Sequence, residues 1–283
     1  MNYTNRSITT GIFATIVLLP GAITLRAQAA ADLENRYSNV GAIMIWRVDD
    51  AGKLSQLLGF ASGTLIRDSV MVTAGHFTAP FKALGSIPPT IRVFASFSPT
   101  NAKDPKTWIP VVRHITHPSM PHCPPPPQCD PTDDSLVAPL EPGIADVGLV
   151  FLEHAPPGIK PARFAEHGAL DTPGGVQTII VGYGTTTPQT RGPPVDTAKW
   201  DGRRRVRTSK VRRIIDETWA LWSIPSYVCS GDSGGGIFLN AGATEHILAA
   251  NVSDGGHDCR RHNNNNRLDT RSIQNWINDT LRQ

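Results

Sequence analysis

Three short segments, far apart in the chain, carry side chains that are useful together only if the fold brings them to one place. The segment CSGDSGG, residues 229–235, surrounds Ser233 with glycines, so that backbone and substrate can approach it closely. A serine hydroxyl is a weak nucleophile until a base takes its proton. His76 ends the segment TAGH after an apolar run, and Asp146 opens the segment DVGL. Base, carboxylate and nucleophile thus follow one another along the chain at spacings of 70 and 87 residues.

Length and composition favour a β-rich globular protein. The chain has 283 residues, of which 40% are hydrophobic, enough to build a substantial core. The 24 prolines and 25 glycines, with few long helical patterns, favour many short strands joined by turns. The net charge of +3 is small and spread out, so it does not indicate a nucleic-acid partner. No internal sequence repeat is evident.

Short apolar or alternating runs predict the strands. They lie at 40–46, 57–60, 63–66, 70–73, 91–97, 111–115, 147–152, 178–183, 210–215, 218–222, 235–239 and 247–252. The polar run 263–266 predicts a solvated loop, and the proline-rich 118–142 predicts an irregular loop that either shapes substrate access or only decorates the surface. Asp269 or Thr270 can cap a closing helix that places Ile273, Trp276, Ile277 and Leu281 on one face.

The amino-terminal region has the features of a secretory signal peptide covering residues 1–29. Arg6 precedes an apolar stretch, and Ala27-Gln28-Ala29 has the small-x-small form of a cleavage site. The alternative is a membrane anchor, which Pro20 and the shortness of the apolar run disfavour. We therefore expect a secreted protein, extracellular or periplasmic, that starts at Ala30 and has no stable membrane association.

Together the three segments resemble motifs of the chymotrypsin/trypsin-like serine proteases. TAGH, DVGL and GDSGG are similar to the family's histidine, aspartate and serine motifs and stand in the family's order. Gly182-Tyr183-Gly184 resembles a turn of the same family. The resemblance implies an all-β fold of two six-stranded Greek-key barrels packed together, with a C-terminal helix. It divides the peptidase domain, residues 30–283, into a first barrel at about 37–155, a second at about 162–268, and a helix at about 270–281.

The resemblance also implies roles for the site residues. Ser233 is the expected nucleophile, His76 the general base and then acid, and Asp146 the group that fixes the His76 tautomer. The backbone N–H groups of Gly231 and Ser233 are the expected oxyanion donors. The substrate is then a protein or peptide, and the protein is expected to be a monomer with no cofactor.

One departure from the family concerns activation. Asp232 matches the aspartate that pairs with a new N-terminal amine after proteolytic activation, but the usual Ile-Val-Gly-Gly start is missing before Val40. The chain resembles secreted, bacterial-type members that lack this start. We therefore expect activity without removal of a propeptide, with either an amine near Ala30 or another group as the partner of Asp232.

Substrate preference is weakly encoded. Tyr227 falls at the base of the expected pocket, where an aspartate would favour Lys or Arg. Ser253 matches a serine that supports the catalytic aspartate and, with Gly255, lies in the segment expected to bind the substrate backbone. The expectation is an apolar or small residue before the cut, although Asp254 could reach a positive group.

The four cysteines fit an oxidising compartment. By the resemblance, Cys229 and Cys259 form a disulfide beside the specificity pocket, whereas Cys123 and Cys129 are expected to close a small local loop. Ala61 and Phe77 occupy the positions of another family disulfide, so packing of Phe77 must hold His76 instead.

Other clusters have plainer explanations. His114, His117 and His122 lie near Cys123 and Cys129 and could form a metal site, but surface histidines beside a disulfide are the favoured interpretation, with no metal expected. The basic positions within 203–207 and 212–213 predict a solvated face, with an acidic partner as the alternative.

Two other functions are compatible with part of the pattern. GDSGG also has the G-x-S-x-G form of α/β-hydrolase esterases, but that fold expects Asp and His after the serine. A catalytically silent, protease-like binding module is the non-enzymatic alternative. Retention of all three triad positions favours the enzyme.

Overall fold

The computed structural model describes residues 29–82, 86–120, 143–172, 175–187, 197–222, 227–239, 245–254, 259 and 263–283. Its elements in chain order are β1 (Ala30–Ala31), β2 (Val40–Val48), β3 (Leu54–Arg67), β4 (Val70–Thr73), α1 (Gly75–Lys82), β5 (Ile91–Ser96), β6 (Trp108–Thr116), β7 (Gly148–Leu152), β8 (Arg163–Phe164), β9 (Gln177–Gly182), β10 (Arg205–Ile214), β11 (Trp219–Trp222), β12 (Gly236–Leu239), β13 (Ile247–Asp254), β14 (Asn264–Arg267) and α2 (Arg271–Thr280). Short 3₁₀ turns lie at Pro105–Thr107 and Thr197–Lys199.

Two closed antiparallel barrels make up the body of the protein. The first follows the order β2-β3-β4-β7-β6-β5, and β5 pairs back onto β2. The second follows β9-β10-β11-β14-β13-β12, and β12 pairs back onto β9. The short strands β1 and β8 add to β10 and β13. The predicted fold of two six-stranded barrels with a C-terminal helix is confirmed.

Neighbouring side chains along a strand point alternately into the barrel interior and towards the contact between the two barrels. In β2, Ile43 and Ile45 pack inside the first barrel, whereas Ala42 and Met44 belong to a cluster that includes Val181 and Phe238 of the second barrel. Side chains on successive strand positions point to opposite faces, so strands buried on both faces must be apolar almost throughout. The shared cluster joins the barrels and places the ends of their strands side by side.

Helix α2 closes the fold. Ile273 and Ile277 are buried in the shared cluster, and Trp276 and Leu281 pack against it, as the spacing predicts. Thr270 is the N-cap residue, but its side chain makes no capping hydrogen bond. Asp269 instead accepts from Leu170 N at 2.9 Å and from Arg267 Nε at 2.9 Å.

Two strand predictions need correction. Residues 57–60 and 63–66 are one continuous strand, β3, because Ala61 and Ser62 pair with Ile43 and Ala42 of β2. The solvated loop predicted at 263–266 is wrong: residues 264–267 form β14 between β11 and β13. Ladders on both sides satisfy its backbone, and buried amides bond locally, as Asn263 Nδ2 does to Asn265 Oδ1 at 3.0 Å.

The predicted solvated basic face is also wrong in part. Arg203, Arg212 and Arg213 are exposed, but Arg204, Arg205 and Arg207 are buried. Each buried guanidinium has a carboxylate partner, respectively Asp32, Asp201 and Asp232. Charges removed from water in this way need such partners.

Arg204 fastens the amino-terminal segment to the body. Its Nε donates to Asp32 Oδ2 at 2.9 Å, and its Nη1 donates to Val40 O at 2.9 Å. Asp32 also accepts from the backbone N–H groups of Arg36 and Tyr37. Next to this pair, Ala30 of β1 lies opposite Val206 of β10.

The buried pair of Asp32 and Arg204 predicts a large stability effect. Asp32→Ala leaves the Arg204 guanidinium buried without its carboxylate, which should lower the free energy of unfolding by about 3–5 kcal/mol. Glu34→Ala, in the exposed pair with Arg36, is the matched control and should leave urea unfolding unchanged. Equal unfolding midpoints for the two variants would contradict this role of Asp32.

Candidate active site

His76 is held where the first barrel ends. It is the second residue of α1, directly after β4, and its side chain is 13% exposed. A Cβ on Gly75 would lie 2.8 Å from Val147 N, so only glycine lets this turn approach the DVGL segment closely. His76 N donates to Asp146 Oδ1 at 2.6 Å, and Nδ1 lies 2.8 Å from Oδ2. The carboxylate thus holds both the backbone and the ring of His76.

Asp146 is fully buried, yet its carboxylate stays in the charged form. Burial alone raises the pKa of this carboxyl, but the charge of His76 and hydrogen bonds from His76 and Ser253 outweigh it, so the pKa is lowered. Ser253 Oγ donates to Asp146 Oδ2. Ser253 is therefore where the resemblance places it as the support of the aspartate.

The GDSGG loop is packed against the strand end that leads to His76. Ser233, which is partly buried, accepts from Ser62 N through its carbonyl at 2.8 Å. Gly234 has φ +80°, and a Cβ there would lie 2.2 Å from Thr73 Oγ1 and 2.6 Å from Ala74 N. The loop that carries Ser233 and the turn that carries His76 are thus in direct contact.

The peptide of Gly231 is fixed from two sides. The carbonyl of Ser230 accepts from Thr185 N at 3.0 Å, and the carbonyl of Gly231 accepts from Ser62 Oγ at 2.7 Å. Since C=O and N–H point in opposite directions across a trans peptide, the N–H of Gly231 is directed away from Thr185. Gly231 has φ +94°, and a Cβ would lie 2.1 Å from the ring of Phe60, so glycine is required.

Asp232 is buried and paired with an internal cation. Arg207 Nη1 donates to Oδ1 at 3.1 Å, and Nη2 lies 2.9 Å from Oδ2 in poorer hydrogen-bond geometry. Gly184 N and Cys229 N also donate to this carboxylate, at 2.8 and 2.9 Å. A Cβ on Gly184 would lie 2.2 Å from Oδ2, which explains the glycine of the GYG turn.

The expected pocket residues are only partly within the described chain. Tyr227 is partly buried with φ +53°, in the segment that leads into the GDSGG loop. A disulfide joins Cys229 to Cys259 and closes a separation of 30 residues. Gly255, Cys123, Cys129 and His122 lie outside the described residues, as do residues 1–28 and 121–142.

The two described histidines of the possible metal cluster have ordinary packing partners. His114 of β6 packs its ring against Phe81, with centroids 5.4 Å apart. His117 Nδ1 lies 2.8 Å from Ser119 Oγ, and its ring packs edge-on against Trp276. Burial lowers the pKa of both rings.

The fold is that of the chymotrypsin-like serine proteases. Similar solved structures include GrC, with a TM-score of 0.57 and 17% identity over 90% of this chain and 99% of that chain. HL collagenase has a TM-score of 0.56 and 16% identity over 91% of this chain and 98% of that chain. Neuropsin, a serine protease expressed in the limbic system of mouse brain, has a TM-score of 0.56 and 18% identity over 89% of this chain and 98% of that chain. At these identities the likeness shows the fold alone.

No protein-family model and no curated protein matches the sequence. Among the described residues, no helix has the length and apolar character needed to cross a membrane.

The lowered pKa of Asp146 predicts a pH dependence of stability. A carboxyl with a depressed folded-state pKa contributes stability that is present above its ordinary value of 3.8 and is lost as pH falls through the folded value. The free energy of unfolding, measured in urea from about pH 6 down to about pH 2, should therefore fall more steeply for wild type than for Asp146→Asn. Parallel curves for the two proteins would contradict the assignment of a stabilised charge to Asp146.

Proposed function

We propose that the chain is a secreted serine endopeptidase that uses Ser233, His76 and Asp146. The observation that carries the proposal is the double hydrogen bond from His76 to Asp146, at 2.6 and 2.8 Å, beside the loop that presents Ser233. A carboxylate that holds Nδ1 leaves Nε2 of the same ring to act as the base.

The chemistry follows from this arrangement. Ser233 Oγ attacks the substrate carbonyl while His76 Nε2 takes its proton, and the same proton then goes to the leaving amine. Water, activated by His76, hydrolyses the acyl-enzyme and returns Ser233 to its hydroxyl form. The N–H groups of Gly231 and Ser233 stabilise the oxyanion, and losing one such donor typically reduces turnover on the order of 10²–10³-fold.

Arg207 supports activity without proteolytic nicking. Its guanidinium supplies a buried positive charge to Asp232, the role expected of a newly formed amine. Asp232 follows Gly231 directly, so the pair holds the loop that carries the oxyanion donors. We keep the secreted, bacterial-type assignment within this proposal because the Ile-Val-Gly-Gly start is missing.

The substrate in this proposal is a protein or peptide with an apolar or small residue before the cut. Tyr227 stands where an aspartate would select Lys or Arg. Digesting a peptide library and identifying the residues beside each cut measures this preference directly.

Covalent labelling tests the proposed reaction. A fluorophosphonate should attach to Ser233 in wild type, and Ser233→Ala should lose both labelling and most peptide hydrolysis, by several orders of magnitude. Ser230→Ala, in the same loop, is the control and should still be labelled. A correctly folded wild type that neither reacts nor hydrolyses peptides would favour the silent binding module instead.

Activation gives a second test. Secreted protein should begin at Ala30 by N-terminal sequencing and hydrolyse peptides without further cleavage. Arg207→Met leaves Asp232 without its cation and should reduce kcat on the order of 10²–10³-fold by disordering the oxyanion donors. Arg212→Met, exposed on the same strand, is the control. A wild-type protein that is inactive until nicked would refute this assignment of Arg207.

A further inference from the structure

The backbone N–H and C=O of Asp146 lie outside the hydrogen-bonded pairing of the first barrel's strands. Strands β4 and β7 end their pairing at Thr73 opposite Gly148, two residues after Asp146. Asp146 is nevertheless fully buried. A buried N–H or C=O without a partner is strongly unfavourable, so the groups of this residue must be satisfied by something other than the first barrel's ladder.

Two buried asparagine side chains of the second barrel supply these partners. Asn266 Oδ1 accepts from Asp146 N at 2.9 Å. Asn251 Nδ2 donates to Asp146 O at 3.2 Å and lies 3.4 Å from Thr73 O. Asn251 and Asn266 lie opposite each other in the pairing of β13 with β14, and both are fully buried.

The surroundings fix which end of each amide faces Asp146. Asn266 Nδ2 donates to Arg267 O at 2.9 Å, so its oxygen is the end turned to the N–H of Asp146. Asn251 faces two carbonyl oxygens, which only a donor can satisfy. Asn266 therefore accepts from the N–H of Asp146, and Asn251 donates to the C=O of the same residue.

We infer that Asn251 and Asn266 form an amide clamp of positioning residues that places Asp146 for its work on His76. The inference rests on the proposed function and deepens it. The clamp fixes the main chain, so the carboxylate reaches His76 N and Nδ1 at 2.6 and 2.8 Å. It also makes the geometry of a first-barrel carboxylate depend on strands of the second barrel.

The charged groups around Asp146 are consistent with a neutral clamp. His76 faces the carboxylate from α1, and His117, after β6, donates its backbone N–H to Val147 O. Arg267 of β14 directs its guanidinium to Asp269 and Asp171 instead. Amides satisfy the Asp146 backbone without adding a second charge beside the buried carboxylate.

Asn266→Ala tests the clamp because it leaves the Asp146 N–H without its acceptor. We expect kcat per active site, counted by fluorophosphonate titration, to fall on the order of 10²-fold, with KM nearly unchanged, because a misplacement of about 1 Å is enough for such a loss. Asn264→Ala, on the same strand and without a described bond to Asp146, should retain wild-type kcat. An Asn266→Ala protein with wild-type kcat would overturn the inference.

A pair of isosteric variants separates positioning from packing. Asn251→Asp turns a carboxylate towards two carbonyl oxygens, whereas Asn264→Asp makes the same replacement at a partly exposed position without a described bond to Asp146. We expect the low-field proton NMR signal of His76 Nδ1–H, hydrogen-bonded to Asp146, to persist in Asn264→Asp and to be lost in Asn251→Asp. Identical spectra for these two variants would refute the clamp.

The NMR signal does not depend on turnover. If the wild-type protein is neither labelled nor able to hydrolyse peptides, the proposed function is contradicted. The His76 Nδ1–H signal would still show whether the clamp positions Asp146 against His76. An active wild type, together with an Asn251→Asp protein as active and with the same His76 signal as Asn264→Asp, would contradict the clamp alone.

Discussion

The buried charge of Asp146 is the constraint on which the site depends. A carboxylate without solvent contact is tolerable only when hydrogen bonds and a nearby cation replace its hydration. Here the partners of the carboxylate come from both barrels, His76 from the first and Ser253 from the second, while Asn251 and Asn266 of the second barrel bind the backbone of Asp146. The barrels therefore have to meet in one register for this charge to be buried, and the same register brings the Ser233 loop against the His76 turn.

Buried charges of the opposite sign are paired at the start of β10. Arg204, the residue before this strand, and Arg207 within it are buried and bind Asp32 and Asp232, which are remote from each other in sequence. The start of β10 thus holds both the amino-terminal segment and the residue next to Gly231. Breaking either pair would leave an uncompensated buried charge, a larger penalty than the net contribution of a satisfied pair.

The apolar strand runs and the motifs around His76, Asp146 and Ser233 can be predicted because their signals are local, and the two barrels are what the family resemblance of those motifs implies. The predictions fail where burial depends on distant partners. Four consecutive asparagines have no apolar period, and only closure of the second barrel between β11 and β13 buries three of them, Asn263, Asn265 and Asn266. The partner of Arg207 depends likewise on the pairing of β9 with β10, which brings this side chain to the GYG turn and Asp232. Ser62 gave no signal at all, since its role lies in contacts with a loop 169 residues away.

A disulfide holds the segment around Ser233, but none holds the turn that carries His76 among the described residues. Cys229 and Cys259 staple the segment that leads to the serine, whereas Ala61 and Phe77 stand where a second staple could have fastened the histidine turn. Among the described residues, that turn is secured by Phe77 packed against the first barrel and by its bonds to Asp146. A reducing environment would consequently loosen the segment around Ser233 first and leave the turn at residues 73–82, which contains no cysteine, unchanged.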